Sequence, residues 1–299
     1  MVSFGRRSVG DGGAEAAAVS IRTLAVLLQA GSAPLNAWRH LADSGDEHAR
    51  SVVARCDEGV PLVMAIEAEG PVWCEVAAAW EVASTVGAPL AEVLRSLAET
   101  MRDTAAAADD VRIALAEPAG TARLLLWMPF AGLLLGFALG FDTVGVLVTN
   151  PIGTACLVAG LLLVLCARLW TSRLLRRARP APGTPGMHAE LVAVALSGGT
   201  SIDRSLRLVD DSPAQGLIGR ARTGEVLELS RAAGVPAGEL LRAAAVQDRH
   251  DARVQGRVRA AKLSSSLLIP LGICTLPAFL LLGVAPLILS VLSSTPLPI

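Results

Sequence analysis

The residues best able to do chemistry in this chain are four histidines, five cysteines and two small serine-rich patches. His40, His48, His188 and His250 stand in polar or linker contexts. They make neither a His-x-x-x-His nor a His-Glu-x-x-His grouping, the spacings that bring two imidazoles around one metal. Cys56, Cys74, Cys156, Cys166 and Cys274 include no Cys-x-x-Cys pair, and three of them lie in strongly apolar stretches where cysteine serves as a small hydrophobe. Ser197-Gly-Gly-Thr-Ser201 lacks the Gly-Lys-Ser/Thr ending that cradles a nucleotide and reads as a helix-ending turn. Ser264-Ser-Ser266 has no base nearby, and small residues there let helices approach closely. Neither catalytic nor cofactor-binding nor metal-ligating residues are expected.

What remains is architecture. The chain has 299 residues, 53% of them hydrophobic, with a mean hydropathy of +0.53. That is too apolar for an ordinary soluble domain and too interrupted for a many-span transporter. Net charge is −1, so no global field favours nucleic acid. From Leu124 to Ala167 only Asp142 is charged, about twice the length one span needs. Two membrane helices are expected, at about 124–141 and 151–169, with Asp142 in the loop between them. A third, about 267–292, contains Pro270, Pro277 and Pro286, which neighbouring helices make tolerable in a membrane. Arginines crowd the end of the second span (Arg168, Arg173, Arg176, Arg177, Arg179). Arg249, Arg253, Arg257, Arg259 and Lys262 crowd the start of the third. The positive-inside rule places residues 1–122 and 171–262 in the cytoplasm and the C-terminus outside. Trp127 and Trp170 stand near span ends as interfacial anchors, whereas Trp38, Trp73 and Trp80 have the spacing of a bundle core. Leu24-Ala-Val-Leu-Leu28 is too short for the apolar core of a signal peptide, with Arg22 and Glu15 just upstream.

The cytoplasmic parts are punctuated by glycine and proline. Val86-Gly-Ala-Pro-Leu-Ala-Glu-Val-Leu-Arg95 recurs as Ala233-Gly-Val-Pro-Ala-Gly-Glu-Leu-Leu-Arg242, 147 positions later. Gly87 and Gly234 suit a left-handed helix end, and Pro89 and Pro236 suit the first turn of the next helix. Gly31 with Pro34 and Gly59 with Pro61 read as related turns. Beyond each Gly-x-Pro runs a polar helix whose arginines match at the same shift, Arg102 with Arg249 and Arg112 with Arg259. Leu28 to Leu35 echoes Ala195 to Ile202 at a shift of 167, so the second copy is shorter and lacks part of the hairpin around Gly59. The expected organisation is a tail (1–19), a first helical bundle (20–122) and two spans (123–170). A basic, Pro/Gly-rich flexible linker (171–188), a second bundle (189–262) and a last span with a short outer tail (263–299) follow. The class is all-α: an integral membrane protein with two repeated cytoplasmic bundles and three membrane helices.

This arrangement, with the turns at Gly31–Leu41 and Gly87-Ala-Pro-Leu90, resembles the type II secretion system F family over residues 20–292. The Ala- and Arg-rich usage is most similar to the actinobacterial tight-adherence branch. The resemblance implies a non-enzymatic inner-membrane platform of a pilus or type II-like secretion apparatus. Its implied partners are a secretion ATPase, pilin-like subunits, membrane lipid and a paralogous platform protein, in a homo- or hetero-oligomer. Where family members often carry Glu before the turn, this chain has Ser84 and Arg231, with Glu81 and Glu228 one helical turn earlier. Glu81, Glu228, Arg102, Arg112, Arg249 and Arg259 are therefore the candidate partner-facing residues. A permease subunit would need more spans or polar residues within them, and an intramembrane enzyme would need a catalytic group.

Overall fold

A computed structural model describes residues 11–138, 151–177, 183–215, 222–285 and 288, and every regular element among them is helical. The expected turns are where the helices change. Helices α1 (Asp11–Gln29), α2 (Pro34–Asp43), α3 (Glu47–Asp57), α4 (Leu62–Glu67), α5 (Pro71–Val86) and α6 (Leu90–Ala138) occupy the first part. Gly87 ends α5 at φ 73°, ψ 24°, its N–H donating to the Ala83 carbonyl. Gly234 ends a later helix at φ 66°, ψ 24°, donating to Ser230. A residue with a Cβ pays a steric cost in that region, so glycine at both places fixes where the helices stop. Gly31 and Gly59 also have positive φ. In the echo of the Gly31 turn the positive φ falls on Gly199, one residue past the aligned Gly198. Gly198 serves a different need: a Cβ there would lie 2.6 Å from the Val86 carbonyl oxygen.

The two expected bundles share one core. Helices α8 (Met187–Ser197), α9 (Ile202–Asp210), α10 (Thr223–Ala233) and α11 (Ala237–Ser266) follow the span region. Residues 1–109 and 181–255 form one compact unit. Its buried cluster joins Ile21, Trp38, Val76 and Leu94 from the first stretch with Met187, Leu191, Val209 and Leu241 from the second. The reason is visible on α5, where Trp73, Val76, Ala77, Ala79, Trp80 and Ala83 are all buried. Such a helix is apolar nearly all round and needs neighbours on every side. Trp38, Trp73 and Trp80 pack together as expected, with ring centroids 5.9 and 6.1 Å from Trp38. Helices α3 and α4 have no counterpart among the described residues of the second stretch.

Residues 110–180 and 256–299 form the second unit. Within the described residues one helix is long and apolar enough to cross a membrane. It lies in α7 (Pro151–Arg177), over Pro151–Leu174, with mean hydropathy 2.2. The first expected span runs on from the polar part of α6 without interruption as far as Ala138, and the rest of it lies outside the described residues. The third begins with α12 (Leu268–Pro270), passes through a π-helical stretch (Leu271–Thr275), α13 (Leu276–Phe279) and a second π-helical stretch (Leu280–Val284). Pro270 and Pro277 supply no N–H, and the regular ladder gives way around them. Val164, Ala278 and Leu282 are buried together against Leu163. The loop with Asp142, residues 1–10 and 178–182, and the tail Ser293–Ile299 lie outside the described residues.

The Cys166 and Cys274 thiols lie close to each other across this packing. Copper(II)-phenanthroline added to membranes should therefore remove two electrons and two protons from this pair and join them as a disulfide. Non-reducing peptide mass spectrometry should find the 166 and 274 peptides linked, with Cys56 and Cys74 left as free thiols. If the two peptides stay separate, α7 does not pack on the π-helical run.

The units differ in charge. By sequence the first holds 16 basic and 24 acidic residues, net −8, and the second holds 10 basic and 3 acidic, net +7.

Candidate functional site

Glu75 sits on α5 between Trp73 and Val76, and is only 4% exposed. A carboxylate there needs donors. Thr184 supplies both: its N–H donates to Oε1 at 2.8 Å and its hydroxyl donates to Oε2. Burial pushes the Glu75 carboxyl above the usual carboxylate range, and the two bonds from Thr184 act the other way. Two residues on, Gly186 has φ 77°, and a Cβ on it would lie 2.6 Å from the Ala245 carbonyl oxygen. The Pro/Gly-rich segment expected to be a flexible linker is thus fastened at Thr184–His188. Thr184, Met187 and His188 are all buried. Proline and glycine here serve a tight backbone approach and not looseness.

His188, expected in a polar context, is 4% exposed. Its Nδ1 lies 2.9 Å from Thr223 Oγ1 and its Nε2 3.2 Å from Asp210 Oδ1. The order Asp210–His188–Thr223 is that of a nucleophilic relay, but the Thr223 side is buried at 3% exposure. A nucleophile needs a substrate within reach. The relay ties α8, α9 and α10 together. Beside it, Glu190 accepts from the Arg249 guanidinium at 2.7 Å and from the Ser96 hydroxyl. Next to that pair opens a groove of about 330 Å³ with Leu97, Leu191 and Val194 in its wall and Glu92 and Arg242 among its polar groups.

The residues singled out from sequence do not share one surface character. Arg102 is exposed on α6, and Arg112 and Arg259 are exposed as well. Arg249 is different: its side chain is 21% exposed and held by Glu190. Charge reversal there would put a carboxylate beside Glu190, testing the fold before any partner. Glu81 is half-buried, and burial followed by the charge of Glu67 raises its carboxyl. Glu228 is exposed. The matched glutamates and the matched pair Arg102/Arg249 therefore occupy unlike environments. Sequence reading missed Glu75, Thr184 and Glu190. For Glu75 the signal was present: one carboxylate among Trp73, Val76, Ala77, Ala78, Ala79 and Trp80. For the other two, only the fold brings their partners near.

Against this geometry stands one comparison. Residues 20–138 match the family described as type II secretion system protein F. That stretch, rather less than half of the chain, is similar to a type II secretion system F domain. No curated protein and no solved structure matches the chain. The match takes in the second half of α1, all of α2 to α5 and the whole described length of α6, so Glu75, Glu81, Arg102 and Arg112 fall inside it. Proteins of this family are inner-membrane platform proteins that work within secretion machinery alongside ATPase and pilin-like partners.

Proposed function

We propose that this protein is the inner-membrane platform of a pilus or type II-like secretion apparatus of the tight-adherence kind. It couples a cytoplasmic secretion ATPase to the assembly of pilins or pseudopilins and is itself no enzyme. The observation that carries this reading is the family match over residues 20–138. The apolar helix Pro151–Leu174 and the basic residues that follow it support a membrane setting with the helical unit inside. The three spans and the outward C-terminus belong to this proposal. Exposed Arg102 is the cleanest probe of a partner surface, since Arg249 is committed to Glu190. Copy-to-copy contact, or contact with a paralogous platform, completes the assembly.

Two measurements test it. In a cysteine-free variant, single cysteines at Thr143 and Thr295 should react with an impermeant maleimide outside spheroplasts. Cysteines at exposed Ser44 and Asp211 should react only after lysis. Labelling of Ser44→Cys from outside would overturn the orientation. In the native host, Arg102→Glu should leave the protein level unchanged yet weaken recovery of the ATPase with the tagged full chain. Deletion of the whole protein should abolish pilus assembly or secretion; unchanged secretion would sink the platform assignment.

A further inference from the structure

Helix α7 carries an open groove of about 520 Å³ along one face, lined by Leu162, Leu165, Leu169, Trp170 and Arg173 among others. Those positions recur at the three- and four-residue spacing of a single helical stripe. The face is bare: Leu162, Leu165 and Leu169 are 59%, 52% and 49% exposed, and Trp170 39%. From Leu162 to Leu174 the helix rises about 18 Å, close to one leaflet of a hydrocarbon core roughly 30 Å thick. At the end of the stripe the chemistry changes from apolar to cationic. Arg173 is exposed there, one residue before Leu174, which packs on Leu263 and Leu267 of the last helical run. Lys262, next to Leu263 in the chain, and Arg259, one turn before it, are also exposed.

We propose that this face seats one anionic phospholipid of the cytoplasmic leaflet, its acyl chain along Leu162–Leu169 and its phosphate on Arg173 beneath the Trp170 indole. This rests on the reading of α7 as a membrane span. The occupant follows from charge. The unit that bears the groove is net +7, so a second copy laid on the same face would bring like charges together at the Arg173 level. A phosphodiester neutralises them, and a planar guanidinium binds it through paired hydrogen bonds. Tryptophan at the boundary places an apolar ring and a polar N–H where a lipid has both.

The test uses the full chain purified in mild detergent after equilibration with mixed phosphatidylcholine and phosphatidylglycerol vesicles, with bound lipid counted by native mass spectrometry. The expected result is one phosphatidylglycerol retained per chain, reduced about fivefold in Arg173→Gln, the effect of one basic residue near a lipid surface. Trp170→Leu should weaken retention, while Arg102→Gln, on the acidic unit, should leave it unchanged. The Cys166–Cys274 crosslink reports that each variant keeps its packing. Equal retention of the two lipids, no change in Arg173→Gln, or a lipid-free dimer would overturn the seat while leaving the span intact. Release of the chain from membranes by alkaline carbonate would instead overturn the span, and the seat with it.

Discussion

Glu75→Ala should destabilise the purified full chain by roughly 2–6 kcal/mol, because two buried donors lose their acceptor at about 1–3 kcal/mol each. Glu75→Gln should stay within about 1 kcal/mol of the parent, since its carbonyl can accept from the Thr184 N–H and its amide can donate to the Thr184 hydroxyl. Urea unfolding followed by the fluorescence of Trp38, Trp73 and Trp80, all in the same core, reads both. The pH dependence has a definite sign. Burial raises the folded-state pKa of Glu75 above its unfolded value, so folding favours the protonated acid. Its contribution is fully present below the unfolded value of about 4.3 and is lost as pH rises through the folded value. The parent should therefore gain stability over Glu75→Gln on acidification. An alanine variant as stable as the parent would mean that Thr184 is not held by Glu75.

The second large effect concerns a glycine of the same segment. Gly186→Ala should cost about 2–5 kcal/mol. The left-handed backbone contributes roughly 1–2, and the overlap with the Ala245 main chain adds about 1–3 as overpacking. Gly87→Ala, with a similar φ but nothing within 4 Å of its would-be Cβ, should cost only the first part. Thermal melts of the two variants side by side separate strain from collision. Equal melting temperatures would show that the segment after Thr184 yields, and that α11 does not press upon it.

The helix boundaries were legible because glycine and proline act locally: Gly87-Ala-Pro89 and Gly234-Val-Pro236 each carry their own turn. The tryptophan core was legible for the same reason, since spacing along a helix fixes which side chains share a face. Partition into bundles was not. Periodicity says that α5 needs cover on all sides but not that the cover comes from residues 187–245, and nothing local marks Met187 or Leu241 as its mates. The Thr184 segment misled for a related reason: Pro and Gly signal either a loose tether or a close backbone approach, and only the neighbour, Ala245, decides. At the site, Glu75 was readable as a carboxylate out of place, whereas Glu190 looked like any helix-surface acid until Ser96 and Arg249 were found beside it. Matching positions at a shift of 147 also promised matching roles, and Arg102 and Arg249 do not have them.

The shared core has a consequence for biosynthesis. The first stretch of that unit ends at 109 and the second at 255, so 146 further residues must be translated before the last of its pieces exists. At about 5–20 residues per second that takes roughly 7–30 s. For the first half of that interval the nascent α5 lacks α8, and both expected spans of the 123–170 region are made within it. Ribosome pausing or premature termination there leaves an apolar helix without its mate, the condition under which nascent chains associate with one another or with a holdase. Slowing translation between codons 110 and 180 should therefore lower yield more than the same slowing after codon 260, when every part of the core has already been synthesised.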